Sequence, residues 1–307
     1  MLMLIQISRT FFYSICLLVL VNSCGTQDQQ PTDTENEGTI HISADESFKP
    51  VIDSQIQVYE ARHPGTHILA QYKPEAACIA DFFVDSIRMV IITRKASNEE
   101  RDMIADSLRI APKSTIIARD AVAVIVNPRS PDSLFTMAEL KLVLQGKFRK
   151  DLIPVFDATR ATSTVRFIID SVLRGDSLTP RAMGAQSSEG VIDYVSKNPN
   201  AIGFVGVSWV GNHEDTMQIS FLKKIKIAQL ESKDIPGAYI LPVQANIYYG
   251  RYPMIRDVVS ILKENHHGLG TAFSYFLSGE IGQLVFRRAY LLPALQSFSV
   301  RSASSDE

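Results

Sequence analysis

Three clusters of small hydroxyl residues stand where a strand-like run gives way to a helix-like one: Asp45-Glu46-Ser47, Thr93-Arg94 and Thr162-Ser163-Thr164. A helix start exposes unpaired backbone N–H groups and the positive end of its dipole, so it can hold an anion without a full positive charge. A hydroxyl beside those amides adds a donor for an oxygen atom. Taken singly, each Ser or Thr also reads as an ordinary N-cap. The three turns together, with Arg94 and Arg166 in or beside them, predict a site for a small oxyanion. Glu46 adds an acceptor to the first turn, and Glu75, after Lys73-Pro74, is a further acidic group. Arg166 falls in the first turn of its predicted helix, a place that disfavours a cation unless an anion offsets it.

Such turns need a scaffold that aims them at one place. From Thr39 onward, short apolar strands alternate with amphipathic helices, the pattern of a mostly parallel sheet covered by helices. Strand-like runs are expected at 39–43, 67–72, 89–92, 153–156, 201–207 and 257–263. Helices are expected at 48–59, from Pro74 to about 85, and at 98–107, 165–173, 189–197, 269–277 and 280–289. Ala121 to Val126 is an unbroken apolar run, which predicts a central strand covered on both faces. Thr136 and Glu139 form a capping-box pair, and Gly146 closes their helix. In an open α/β sheet, strand-to-helix turns lie at the carboxyl ends of strands, where ligands usually bind.

The chain has 307 residues, enough for two lobes, and its 46% hydrophobic and 21% charged residues suit a globular protein with a real core. A formal net charge of −2 argues against nucleic-acid binding, so any anion site must be local. Arg9 precedes an apolar run from Phe11 to Val21 that is too short to span a bilayer. Val21-Asn22-Ser23-Cys24 follows and is similar to a bacterial lipobox, so residues 1–24 read as a signal peptide with Cys24 lipidated. The expected location is the periplasm or cell envelope, with attachment to the membrane through that lipid. Residues 25–37 are polar and read as a disordered tether. Cys78 is then the one cysteine left in the mature chain, so no intrachain disulfide is expected, and its apolar helix face suggests an inert buried thiol.

Other chemistries fit poorly. Gly206-Val207-Ser208-Trp209-Val210 misses the hydrolase elbow, because Val210 stands where glycine is needed. His213-Glu214-Asp215 and His266-His267 are adjacent loop residues, which rarely converge on one ion, so solvated loops and no metal are expected. No Walker-type phosphate loop or dinucleotide fingerprint is present. The reading is a binding protein without cofactor, not an enzyme.

The order of several pieces resembles the phosphate-binding proteins of bacterial phosphate ABC importers. These pieces are Ala44-Asp45-Glu46-Ser47-Phe48, the segment Asp120 to Pro128, Leu140 to Gly146, and Ile153-Pro154-Val155 leading to Thr162-Ser163-Thr164. Ala201-Ile202-Gly203-Phe204-Val205 and Phe276 to Gln283 complete the set. The resemblance spans about Gly38 to Pro293. It implies an α/β, two-lobed type II periplasmic-binding-protein fold whose two crossover strands form the hinge. The lobes would comprise 38–127 and 128–207, with 208–296 returning to the first lobe and 297–307 a frayed tail. It also implies a monomer that traps inorganic phosphate or a similar oxyanion and docks on the membrane permease of an importer. A binding module of the same fold with another ligand or a protein partner is the alternative. Carried over by position, Ser47, Thr93, Ser163 and Thr164 match the family's hydroxyl donors, while Arg166 is displaced from the family's usual arginine. Two departures stand out: the first turn is acidic rather than glycine-rich, and Arg94 replaces an acceptor aspartate.

Overall fold

A computed structural model describes residues 33–295. The expected signal peptide, Cys24, most of the expected tether and the tail beyond 295 lie outside the described residues. Thirteen strands are found among those residues. In chain order they are β1 (Glu37–Asp45), β2 (Gly65–Lys73), β3 (Ile87–Ile92), β4 (Lys113–Val126), β5 (Leu134–Phe135) and β6 (Ile153–Phe156). They continue with β7 (Met183–Gly184), β8 (Ala201–Gly206), β9 (Lys226–Ile227), β10 (Gln229–Glu231), β11 (Tyr239–Ile240), β12 (Ile255–Leu262) and β13 (Leu292–Pro293). The principal sheet runs β2-β1-β3-β12-β4-β8-β6-β7, and β11-β10-β5 form a small second sheet.

β4 is the key to the architecture. It is 14 residues long, and its partner changes part-way along. Lys113 to Ala121 pair antiparallel with β12, whereas Val122 to Val126 pair antiparallel with β8. One strand therefore serves two half-sheets. The first holds β1 parallel to β2 and β3, and the second holds β6 parallel to β7 and β8.

The apolar run Ala121 to Val126 is wholly buried, and its side chains alternate between two cores. Val122, Val124 and Val126 pack with Leu140, Ile168 and Phe204 on one face, while Ala123 and Ile125 pack with Val191, Val195 and Trp209 on the other. The first half-sheet is covered in the same way. Phe48, Ile52 and Phe273 lie over one face, and Cys78, Phe82 and Ile104 over the other. Burial pushes the Cys78 thiol up to about 12, which fits the expectation of an inert thiol.

Most expected elements form within a residue or two of their anticipated ends. The Thr136 capping box closes through reciprocal bonds with Glu139. The helix expected at 165–173 begins earlier, at Ser163, and its second half, Ile168–Leu173, is π-helical. Sequence reading placed the return to the first lobe at residue 208. In the structure β9 pairs with Ile125 and Val126 of β4, and Ile247, Tyr252 and Met254 join the core of the second half. Pairing with the first half resumes at Ile255. The later crossing has a physical reason, because the apolar residues near 247–254 complete a core that the second half would otherwise leave open. No helix of the described residues is long and apolar enough to cross a membrane.

Candidate functional site

The site lies where the two halves meet, and its floor is an ion pair on neighbouring strands. Asp120 of β4 and Arg256 of β12 are direct cross-strand partners. Arg256 Nε donates to Asp120 Oδ2 at 2.8 Å, and Val207 N donates to the other oxygen at 3.1 Å. Both residues are buried, so the pair offsets part of a desolvation cost that neither charge could bear alone. Burial pushes the Asp120 carboxyl up, and Arg256 offsets part of that rise. Gly206 makes room for the guanidinium. A Cβ there would stand 3.2 Å from Arg256 Nη2 and from Asp120 Oδ2.

From this floor the hydroxyls rise on both sides. Arg256 Nη1 donates to Ser163 Oγ at 2.9 Å and to Thr164 Oγ1 at 3.2 Å. Ser47, from the first half, brings its Oγ within 3.4 Å of Ser163 Oγ, from the second. All three hydroxyl residues are buried. Arg256 Nη2 lies 2.8 Å from Asp120 Oδ2, but it lacks hydrogen-bond alignment and has no acceptor. The cleft thus sets a guanidinium, ion-paired to Asp120, beside three alcohols, and these are donors that an oxyanion would accept from.

The first turn is shaped by Asp45, whose Oδ1 accepts from Ser47 N at 2.9 Å while Oδ2 has no partner. Burial pushes the Asp45 carboxyl up, with Arg256 acting in opposition. Glu46 reaches across to the second half. Its carboxylate accepts from Ser188 N at 3.1 Å and Ser188 Oγ at 2.7 Å, at the start of the Ser188–Lys197 helix. Burial raises the Glu46 carboxyl too, and the Ser188 bonds oppose that rise. Asp157, just after β6, is 7% exposed and has an unpartnered Oδ1. Burial first, then the charges of Asp45 and Glu46, push its carboxyl up to about 7.

A second bridge joins the halves at Glu75, which opens the Glu75–Asp81 helix. Arg166 Nε donates to Glu75 Oε2 at 2.6 Å, and Arg166 Nη2 donates to Thr93 Oγ1 at 2.6 Å. Thr93 donates to Glu75 Oε1 through its hydroxyl at 2.5 Å and through its amide at 2.9 Å. Burial pushes the Glu75 carboxyl up, but the bonds from Arg166 and Thr93 outweigh it and hold it below the usual range. Ala76 N adds a backbone bond to Ala161 O at 3.0 Å.

The structure sorts the sequence-predicted residues. Ser47, Ser163 and Thr164 converge on Arg256. Thr93 and Arg166 belong to the neighbouring bridge, where the anion that offsets Arg166 is the chain's own Glu75. Glu46 lies between the halves but is spent on Ser188. Thr162 is an N-cap, accepting from Val165 N at 3.2 Å. Arg94 departs from expectation: it makes a two-pronged pair with Glu100 at 2.6 and 2.7 Å, inside the capping box of the Asn98–Leu108 helix. A carboxylate held that close at the helix start draws the guanidinium away from the hydroxyls. Arg256, Asp120 and Asp157 were not anticipated. The available signal was a pair of adjacent opposite charges at the edge of each of two apolar runs, Arg119-Asp120 before Ala121-Val122 and Arg256-Asp257 before Val258-Val259.

Two set-aside motifs acquire structural roles. Ser208 Oγ donates to the Ser47 carbonyl at 2.7 Å and so fixes the first turn from behind. His266 is not a freely solvated loop residue. It groups with Asp33 and Glu264 in a cluster whose ligand atoms all lie within 4.8 Å of one another, a spacing that could hold a metal ion. Those carboxylates are already engaged by Arg88 and by the amides of Leu269, Gly270 and Thr271.

Two half-sheets joined through a shared strand, with polar groups from each meeting at the junction, define a two-lobed α/β fold of the periplasmic-binding-protein type. The family model described as PBP superfamily domain matches residues 29–280, and the chain belongs to that family. It is 20% identical over 285 residues to the phosphate-binding protein PstS of Borreliella burgdorferi, covering 86% of this chain and 90% of that protein. Its fold is similar to that of a candidate phosphate ABC transporter substrate-binding protein of Clostridium perfringens, solved with bound phosphate. That match has a TM-score of 0.67 and 18% identity, and covers 84% of this chain and all of the other. An ABC-type phosphate transport receptor of Vibrio cholerae matches with a TM-score of 0.61 at 19% identity, over 83% of this chain and 100% of the other.

Proposed function

We propose that this chain is the solute-binding component of a bacterial ABC importer and that it captures a small oxyanion, inorganic phosphate first, between its lobes. The observation that carries this reading is the buried Arg256 guanidinium, whose Nη1 donates to Ser163 and Thr164 while Ser47 meets Ser163 from the opposite half. An oxyanion entering there parts the Ser47–Ser163 contact and accepts from the alcohols and the guanidinium. The relatives named as phosphate receptors support the choice of phosphate. β4 and the crossing at Met254-Ile255 act as the hinge, so ligand selects the closed form by contacts that exist only when the lobes meet. The protein works as a monomer, lipidated at Cys24 and held at the envelope membrane, and hands its solute to a permease without chemical change.

Calorimetry with phosphate, sulfate and molybdate tests the reading. Phosphate should bind, and Ser163→Ala with Thr164→Ala should weaken it at least tenfold, since a hydrogen bond to a charged group contributes about 1.5–3 kcal/mol. No heat with any oxyanion would exclude the site as described. One observation favours the alternative, a binding module of this fold without a permease. The first turn carries Asp45 and Glu46, and Glu46 already fills the start of the Ser188–Lys197 helix. Reconstitution with the permease separates the two readings, because a module without one stimulates no uptake.

A further inference from the structure

The charges enclosed around the hydroxyls do not balance. Asp45, Glu46, Glu75, Asp120 and Asp157 supply five carboxylates, against two guanidiniums from Arg166 and Arg256. Arg256 is committed to Asp120, Arg166 to Glu75, and Glu46 to Ser188. Two carboxylates remain. Asp45 is 1% exposed and Asp157 7%, and each keeps an oxygen, Oδ2 and Oδ1 respectively, with no hydrogen-bond partner. They come from opposite halves, one at the end of β1 and one just after β6, and the charge of Asp45 is among the causes that raise the Asp157 carboxyl. Leaving such oxygens bare in a buried place is expensive once they ionise, and it is relieved by a proton, a donor or a cation. A bare oxyanion would meet them with charge of the same sign.

We propose that the cleft takes up its oxyanion together with a positive charge, which sits between Asp45 and Asp157. The solute is therefore ion-paired or zwitterionic. This rests on the oxyanion reading above and adds to it the chemical class of the ligand. The positive charge has two possible sources. One is a divalent cation carried in by phosphate, a role that suits Mg2+, which is commonly held by one or two carboxylates plus phosphate oxygens. The other is an ammonium group on the oxyanion itself, as in an aminoalkylphosphonate. In each case the Arg256 Nη2 donor faces the anionic end, and the two unpartnered carboxylate oxygens face the cationic end.

The test is titration calorimetry at one pH with three ligands: inorganic phosphate in EDTA, inorganic phosphate with Mg2+, and 2-aminoethylphosphonate in EDTA. At least tenfold tighter binding of the second or the third than of the first is expected, and which of them gains identifies the source of the charge. Asp157→Asn should abolish that gain, and Asp45→Asn should do the same, while either change, by removing a like charge, should tighten phosphate in EDTA. Two variants guard against one failing to fold, and thermal unfolding verifies each beforehand. Phosphate binding equally well with and without Mg2+, with no gain for the aminoalkylphosphonate, overturns the proposal and leaves the oxyanion site standing. No heat with any of the three removes the oxyanion reading itself, and the proposal with it.

Discussion

Replacing Asp157 by Asn should change how stability depends on pH, by an amount that follows from its surroundings. The carboxyl ionises near 3.8 when free and is pushed up to about 7 by burial and by the charges of Asp45 and Glu46. A raised acid pKa means that the folded state binds a proton more tightly than the unfolded one. Its contribution to stability is therefore complete below 3.8 and is lost as the pH rises through about 7. The full loss corresponds to about 4 kcal/mol, at about 1.4 kcal/mol for each tenfold difference in proton affinity. Roughly 3 kcal/mol of it falls between pH 5 and pH 8.5. Asn has nearly the same shape and no titration, so the variant should gain on the parent by on the order of 2–3 kcal/mol across that interval. Urea unfolding of both proteins at pH 5, 6, 7 and 8.5, in ligand-free buffer, measures the difference directly. Parallel pH profiles would refute the reasoning, since they would mean that Asp157 reaches water or a cation in the folded state.

Arg256→Ala leaves Asp120 buried without its counter-charge and should cost about 3–5 kcal/mol in urea unfolding; a loss under 1 kcal/mol would mean that water reaches the floor of the cleft. Glu46→Gln removes the charged bond from the first turn to Ser188, so the ligand-free variant should open and show a larger radius of gyration in X-ray scattering. An unchanged radius would assign closure to the Arg166–Glu75 bridge. Arg94→Ala should leave oxyanion affinity within twofold in calorimetry, because that guanidinium is spent on Glu100. Gly203→Ala forces a Cβ to within 2.7 Å of Val191 Cγ1 and 2.8 Å of Ile125 Cγ1, and should lower stability by about 1–3 kcal/mol in thermal or urea unfolding.

What could be read from the sequence, and what could not, follows the range of the forces involved. Elements set by local pattern were legible. Ala121 to Val126 announced a two-sided strand through its unbroken apolar run, and Thr136 with Glu139 announced a helix start through spacing alone. Short strands such as β5, β7 and β9 were missed, because two residues leave no periodic signal and form only when a partner strand is already present. The site was half legible for the same reason. Ser47, Ser163 and Thr164 advertise themselves by residue type at predicted turns. Arg256 contributes through a cross-strand pairing with Asp120 across 136 residues of chain, which no local pattern records. Arg94 and Arg166 looked equivalent in sequence, yet the nearest carboxylate decided each one. Glu100, six residues on, captured Arg94, whereas Arg166 found Glu75 in the opposite half.

The position of Arg256 also bears on how binding is felt by the whole molecule. Its strand partner Asp120 lies beside Ala121, the last residue of β4 paired with β12, and Val122 is the first paired with β8. The guanidinium that touches Ser163 and Thr164 is therefore rooted at the point where one half-sheet hands over to the other. On the proposed reading, a ligand held by Arg256 would pull on the hinge strands themselves, while Ser47 and Ser163 would grip it from the two halves. Had the cation been carried on a surface loop of one lobe, occupancy could change without any change in the angle between lobes. With the charge on the crossing strands, the bonds that hold the ligand and those that set the closure share atoms. Binding energy is then converted into a population of closed molecules in proportion to the contacts found only in that state.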